Sequence, residues 1–251
     1  MKILSTLLLI ISTISLFSAK IGNENFNGFK TGYMSISGNY LPSGITGINS
    51  SIEDFGLEGF DDFVLSWGIE LTGNVNSNVG TGVQYYTGWD KTQKVVEVPD
   101  TNSTTGVVDL DRCADYNITY YGIVLNYRKS FTGNMEYFGS FSANYGSLEL
   151  VFSQDEGDQY FDNMLESYDP NSGIYGYNRS SSLEMNLWLF TIDSGMKFYI
   201  TDRIAIGGSI GYTYGSVNDS GIQNNGFETI NGIPELDFDG MTYTISLYYG
   251  N

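Results

Sequence analysis

Across residues 62–76 an apolar side chain falls on every second position. Phe63, Leu65, Trp67, Ile69, Leu71 and Val75 share one face, and Val64, Ser66, Gly68, Glu70, Thr72 and Asn74 share the other. Side chains alternate sides along a β-strand, so a period of two gives one apolar and one largely polar face. The pattern returns at 78–89, 203–217 and 241–249, and less cleanly at 29–41, 116–130, 134–152 and 184–200. Eight such segments, in a chain where Tyr, Ile, Thr and Gly are abundant and Ala and Leu sparse, predict an all-β protein.

The composition of the two faces decides which one turns inward. The polar faces are rich in Gly, Ser and Thr, which suits a narrow barrel interior that large side chains from every strand would overfill. The apolar faces then meet lipid, the inverse of a soluble sandwich. Tyr85 and Trp89, Tyr121 and Tyr127, and Tyr243 and Tyr249 sit where aromatic girdles mark membrane interfaces. The connections alternate in length: short at 75–77, 131–133 and 201–202, long at 42–61, 90–115, 153–183 and 218–239. Short turns at one end and long loops at the other are the outer-membrane pattern. The expectation is an eight-stranded antiparallel transmembrane β-barrel over residues 29–251, with short periplasmic turns and long extracellular loops, in a bacterial outer membrane. Lys2, the apolar run from Ile3 to Phe17 and the small residues Ser18 and Ala19 read as a signal peptide over 1–19. Residues 20–28 then form a periplasmic lead-in.

The stretch Gly195-Met-Lys-Phe-Tyr-Ile-Thr-Asp-Arg-Ile-Ala-Ile-Gly-Gly-Ser-Ile-Gly-Tyr resembles the seam of OmpA-, OmpX- and opacity-type small barrels, where a strand ends in a Thr-Asp-Arg-like turn and a Gly-rich strand returns. The closing Tyr243-Thr-Ile-Ser-Leu-Tyr-Tyr resembles their C-terminal strand, although here Gly250 and Asn251 follow the aromatics. The resemblance implies the barrel architecture for the whole mature chain and is nearly silent on function.

Charge is unevenly placed. The four long segments hold 21 of the 29 acidic residues and 4 of the 11 basic ones, so almost the whole net charge of −18 lies on them. Such a surface disfavours nucleic acid and favours basic or cationic extracellular ligands; the remaining partner is outer-membrane lipid. Asp109, Asp111 and Asp115, and Asp237 and Asp239 before Gly240, are candidate cation-binding loops, since hard cations take several oxygens at short range. Neither group matches a full calcium loop. The chain has no His, which removes Ser–His hydrolysis and His-ligated zinc chemistry. Gly is scattered along the strands and forms no phosphate-cradling loop, so no enzyme and no cofactor is expected. Cys113 is the sole cysteine, so no internal disulfide forms.

Five charges fall on the predicted lumen face or near its ends: Glu70, Arg128, Glu136, Asp193 and Lys197. Unpaired charge is costly in a closed interior. Asp193 is therefore expected to meet Arg128 or Arg203, and Lys197 to meet Glu70 or Glu136. Residues 134–152 exceed the ~9–11 that a tilted membrane strand needs, so the second half should project beyond the bilayer together with the strand starting near Glu184. Leu148, Leu150 and Phe152 would then lie on a face no longer packed in a core. The function expected is structural or surface-interacting, through long acidic extracellular loops. The alternative is a narrow channel for small solutes or apolar molecules.

Overall fold

The computed structural model describes residues 29, 31–99, 106–155, 179–224, 228–229 and 236–250. The expected signal peptide and lead-in lie outside the described residues. Eight long strands make the fold: β1 (Gly32–Pro42), β2 (Phe63–Asn74), β3 (Val79–Pro99), β4 (Val107–Thr132), β5 (Met135–Asp155), β6 (Arg179–Tyr199), β7 (Ile204–Asn224) and β8 (Gly240–Gly250). A helix, α1 (Thr46–Asp54), stands between β1 and β2. Each strand pairs antiparallel with its predecessor, and β8 pairs with both β7 and β1, which closes the ring. Glu228–Thr229 adds a two-residue pairing to the far end of β7. The periplasmic turns are tight: the Val75 and Ile200 amides donate to the Val79 and Ile204 carbonyls at 2.8 Å.

The lower barrel has the faces that the alternation predicts. Trp67, Ile69, Leu71, Val83, Ile123, Leu125, Ile192 and Ile245 are exposed, while Ser37, Ser66, Thr72, Ser142, Asn144 and Ser246 are buried inside. Tyr127, Tyr137 and Tyr249 bound this apolar belt below; Tyr40, Trp89, Trp188 and Tyr214 bound it above. A closed barrel leaves no backbone group unpaired in lipid, and an apolar belt between aromatic girdles is the exterior of an outer-membrane barrel.

Above the upper girdle the structure departs from the sequence expectation. Strands β3 to β7 run for 21 to 26 residues, so most of the segment expected as a loop over 90–115 is paired strand. The strands also continue through Asp155, from Arg179 and through Asn224, into segments expected as loops. There the faces exchange roles. Leu110, Ala114, Tyr116 and Ile118 of β4, Leu148 and Leu150 of β5, and Met185, Leu187 and Leu189 of β6 all turn inward and are buried. Water replaces lipid outside, so the exterior must be polar and the apolar side chains leave it. Leu148 and Leu150 are thus packed in a core rather than exposed, and Phe152 packs against that core half-buried.

What completes this upper core is the segment after β1. Ile45, Ile48 and Ile52, spaced to share one helix face, enter it with Leu57, Phe60, Leu236 and Phe238. Full burial of each such aliphatic side chain is worth about 1.5–3 kcal/mol. Gly56, at φ 91°, ends α1, as a left-handed residue commonly does. Gly44, at φ 72°, lies where a Cβ would come within 2.6 Å of the Phe238 ring, so the entry to the plug admits only glycine. Polar ties hold the segment in place: Tyr116 Oη donates to the Ser43 carbonyl at 2.7 Å, and Asn49 exchanges two hydrogen bonds with the Phe60 backbone. The Arg112 guanidinium donates to the Phe55 carbonyl and lies 4.6 Å from the centre of its ring.

Candidate functional site: the filled lumen and the acidic rim

The lumen is built in three layers. At the periplasmic floor Lys197 of β6 meets Glu136 of β5 at 3.7 Å, with both side chains almost fully buried. The two residues are register partners, so the pairing follows from strand position alone. The Lys197 ammonium also lies 3.8, 4.6 and 4.9 Å from the ring centres of Tyr33, Tyr248 and Phe138. Arg128 is buried in the same layer, and its Nε donates to the Ser77 carbonyl at 3.2 Å. Phe29 closes the floor, edge-on to Tyr199 at 5.0 Å.

The middle layer is polar. Glu70 Oε1 accepts from Thr72 Oγ1 at 2.6 Å, Tyr33 Oη at 2.8 Å and Asn126 Nδ2 at 3.1 Å. Gln84 Nε2 donates to Asn144 Oδ1 at 2.7 Å. Asp193 accepts from Ser140 Oγ at 2.6 Å. Neither Arg128 nor Arg203, the partners expected from the sequence, meets Asp193. Its register neighbour is Ser140, while Arg128 belongs to the floor and Arg203 sits exposed in the periplasmic turn. A cavity of ≈ 50 Å³ remains in this layer, room for a handful of waters at about 10–15 Å³ each.

The upper layer begins with Tyr86 and Tyr120, stacked at 5.3 Å, and continues into the dry core capped by α1. This plug stands where the sequence predicts a loop; its signal is the i, i+3, i+7 spacing of Ile45, Ile48 and Ile52.

The candidate cation loops are placed differently from the expectation. Asp109, Asp111 and Asp115 lie on strand β4 and face outward, where alternate residues stand about 6.6 Å apart. Asp111 accepts from Gln93 Nε2 at 2.7 Å, and Asp115 meets Lys91 at 3.7 Å and the Cys113 thiol at 3.4 Å. Burial, and then the neighbouring Asp115 carboxylate, push the Cys113 thiol above its ordinary range. Asp237 accepts from the Asp239 amide at 2.8 Å and Asp239 from the Gly215 amide at 3.1 Å, so both carboxylates fix the chain entering β8. Among the described residues no group of three His, Cys, Asp or Glu side chains is placed to hold a metal ion.

The register shows something else on the rim. Glu97 stands directly opposite Asp109, Asp111 opposite Asp155, and Glu149 opposite Glu184. All six belong to the outward face of the projecting sheet. Like charges opposed across strands are destabilising by roughly 0.2–1 kcal/mol; beside them Lys91 pairs with Asp115 at 3.7 Å.

No protein-family model matches the sequence, and no curated protein is similar to it. Among solved structures the chain is similar to Neisserial surface protein A, at 9% identity and a TM-score of 0.42, with 89% of this chain and 99% of that one covered. It is similar to the outer membrane protein OprG from Pseudomonas aeruginosa, at 15% identity and a TM-score of 0.42, covering 90% and 98%. It is also similar to Ail, the attachment invasion locus protein of Yersinia pestis, at 12% identity and a TM-score of 0.32, covering 88% and 98%. The assignment to the outer membrane rests on the barrel itself: a closed ring of eight antiparallel strands, an apolar belt and two aromatic girdles.

Proposed function

We propose that this chain is a non-enzymatic outer-membrane barrel that presents a fixed acidic surface to basic or cationic extracellular ligands. The observation that carries the reading is the projecting sheet. Crossing the bilayer takes ~9–11 residues per strand, yet five strands run on for 21 residues or more. They carry a dry core behind them and three opposed acid pairs in front. None of this is needed to hold a barrel in lipid. Repulsion built into a stable sheet is offset when a cationic partner neutralises it.

The channel reading is favoured by the polar middle layer, and opposed by the Tyr86–Tyr120 stack and the apolar plug above it. The test is binding of a fluorescent oligolysine to whole cells that display the barrel, compared with a Glu97→Gln, Asp109→Asn, Glu149→Gln, Glu184→Gln variant. The reading expects a severalfold loss of binding in the variant, and a loss in the wild type at high salt, where exposed charges are screened. Equal binding by both barrels would reject it.

A further inference from the structure

We infer that the β1–β8 seam is where the closed ring parts most readily, and that Phe29 is a strap that locks this seam from inside. The β1–β8 ladder runs only from Tyr33–Gly250 to Tyr40–Tyr243 and is the shortest of the eight. The β4–β5 ladder, by contrast, runs from Asp111–Asp155 to Thr132–Met135. Proteins open locally where the fewest hydrogen bonds and buried contacts must break together. A backbone group freed in lipid finds no water to replace its partner, so a short seam in a membrane barrel needs holding.

The side chains along the seam add little apolar packing. Its lumen side carries Ser35, Ser37, Asn39, Thr244 and Ser246 at mid-height. They are joined across the strands by Ser37 Oγ and Ser246 Oγ at 2.7 Å, and by Thr244 Oγ1 donating to Asn39 Oδ1 at 3.3 Å. On the lipid side Gly38 stands opposite Ile245, which is 73% exposed. The upper end is anchored, since Leu41 near the end of β1 and Phe238 just before β8 share the upper core. The lower end has a separate small cluster made of Phe29, Tyr33, Tyr199, Ala205 and Tyr248.

Within that cluster only Phe29 lies outside the strands; it stands just ahead of β1 and is 1% exposed. Its ring lies 5.8 Å from that of Tyr33 on β1 and 5.0 Å, edge-on, from that of Tyr199 at the end of β6. On the β8 side it rests on the Gly250 backbone, where a Cβ would come within 2.6 Å of the ring. Its carbonyl accepts from Asn74 Nδ2 of β2 at 2.7 Å. One residue therefore touches both strands of the seam and ties them to the strand beside β1. Phe29 belongs to no ladder, so it can leave its seat without breaking a strand pair. Gly250 is that seat, which gives a physical reason for the glycine that follows the closing aromatics.

The test is native-state hydrogen exchange on the full-length barrel in phospholipid nanodiscs, read segment by segment by mass spectrometry. In the wild type the amides of 33–40 and 243–250 should exchange faster than those of β4 and β5 within the lipid belt. Phe29→Ala should raise exchange in the two seam segments by roughly tenfold or more, and leave β4 and β5 within about twofold of the wild type. Gly250→Val evicts the ring while leaving Phe29 in the chain, and should give the same pattern; it decides the matter if Phe29→Ala does not fold. Three results would overturn the inference. The first is a wild-type seam that exchanges as slowly as β4 and β5. The second is seam exchange unchanged by the loss of the ring. The third is an equal rise in every strand, which would make Phe29 a general packing residue and not a strap on the seam.

Discussion

Replacing Glu136 by Gln should destabilise the barrel by about 3–5 kcal/mol. The substitution keeps the side chain's shape and removes its charge. Lys197 is then left 1% exposed, with no carboxylate of the described residues in ion-pair range, and breaking one partner of a buried pair costs that amount. The rings of Tyr33, Tyr248 and Phe138 still face the ammonium and retain roughly 0.5–2 kcal/mol each, which places the loss at the lower end of the range. Glu136→Leu with Lys197→Met removes both desolvation costs, and should return to within about 1 kcal/mol of the wild type, or exceed it. Urea unfolding of the barrel in lipid vesicles, followed by the fluorescence of its three tryptophans, gives these differences as shifts in midpoint at constant slope. A Glu136→Gln barrel within about 0.5 kcal/mol of the wild type, or a double variant as unstable as the single one, would refute the reasoning, since it predicts far more than the few tenths typical of neutral surface changes.

Three further outcomes follow from the placement of side chains. Ile123 and Val95 are similarly exposed, at 64% and 61%, but only Ile123 lies in the lipid belt; Ile123→Arg should cost about 2–4 kcal/mol near the bilayer midplane and Val95→Arg close to nothing, read by the same unfolding assay. Ile52→Ala, in the plug, should cost about 2–5 kcal/mol; a neutral result would mean α1 does not pack in solution as described. The Cys113 thiol is raised by burial and by Asp115, so its thiolate fraction at pH 8 is smaller than in the unfolded chain. Labelling by a thiol reagent should be slow at that pH, faster in urea, and should climb as pH rises; equal rates folded and unfolded would contradict the placement.

The parts of the fold legible in the sequence are those where one solvent surrounds the whole strand. In β2 and β8 the apolar residues keep to the outward face, with Val64 and Tyr248 as the inward exceptions, because both strands stop near the girdle. In β4 the phase reverses: Tyr127, Leu125, Ile123 and Tyr121 are apolar outward, then Ile118, Tyr116, Ala114 and Leu110 are apolar inward. A strand that leaves lipid for water must invert its pattern, and a period-two reading takes the inversion for the strand's end. β6 blurs the change further, since Leu187, Trp188, Leu189 and Phe190 are apolar in succession where girdle and core overlap. Acids at Asp109, Asp111 and Asp115 strengthened the impression of a loop, although alternate spacing of exposed charges is equally what an outward strand face requires. In the lumen, Glu136 and Lys197 are register partners across β5 and β6, and their opposite charges mark them as a pair. The partner of Asp193 did not follow, because a hydroxyl such as Ser140 carries no charge by which a sequence reading would choose it.

The claim on which the account turns is that the lumen is filled from floor to rim, and ion conduction measures it directly. Purified barrel inserted into a planar bilayer in concentrated potassium chloride should give no stable single-channel steps at moderate voltage, since no path leads past the Lys197 cage, the Tyr86–Tyr120 stack and the α1 plug. Reproducible open levels in the unmodified protein would contradict it.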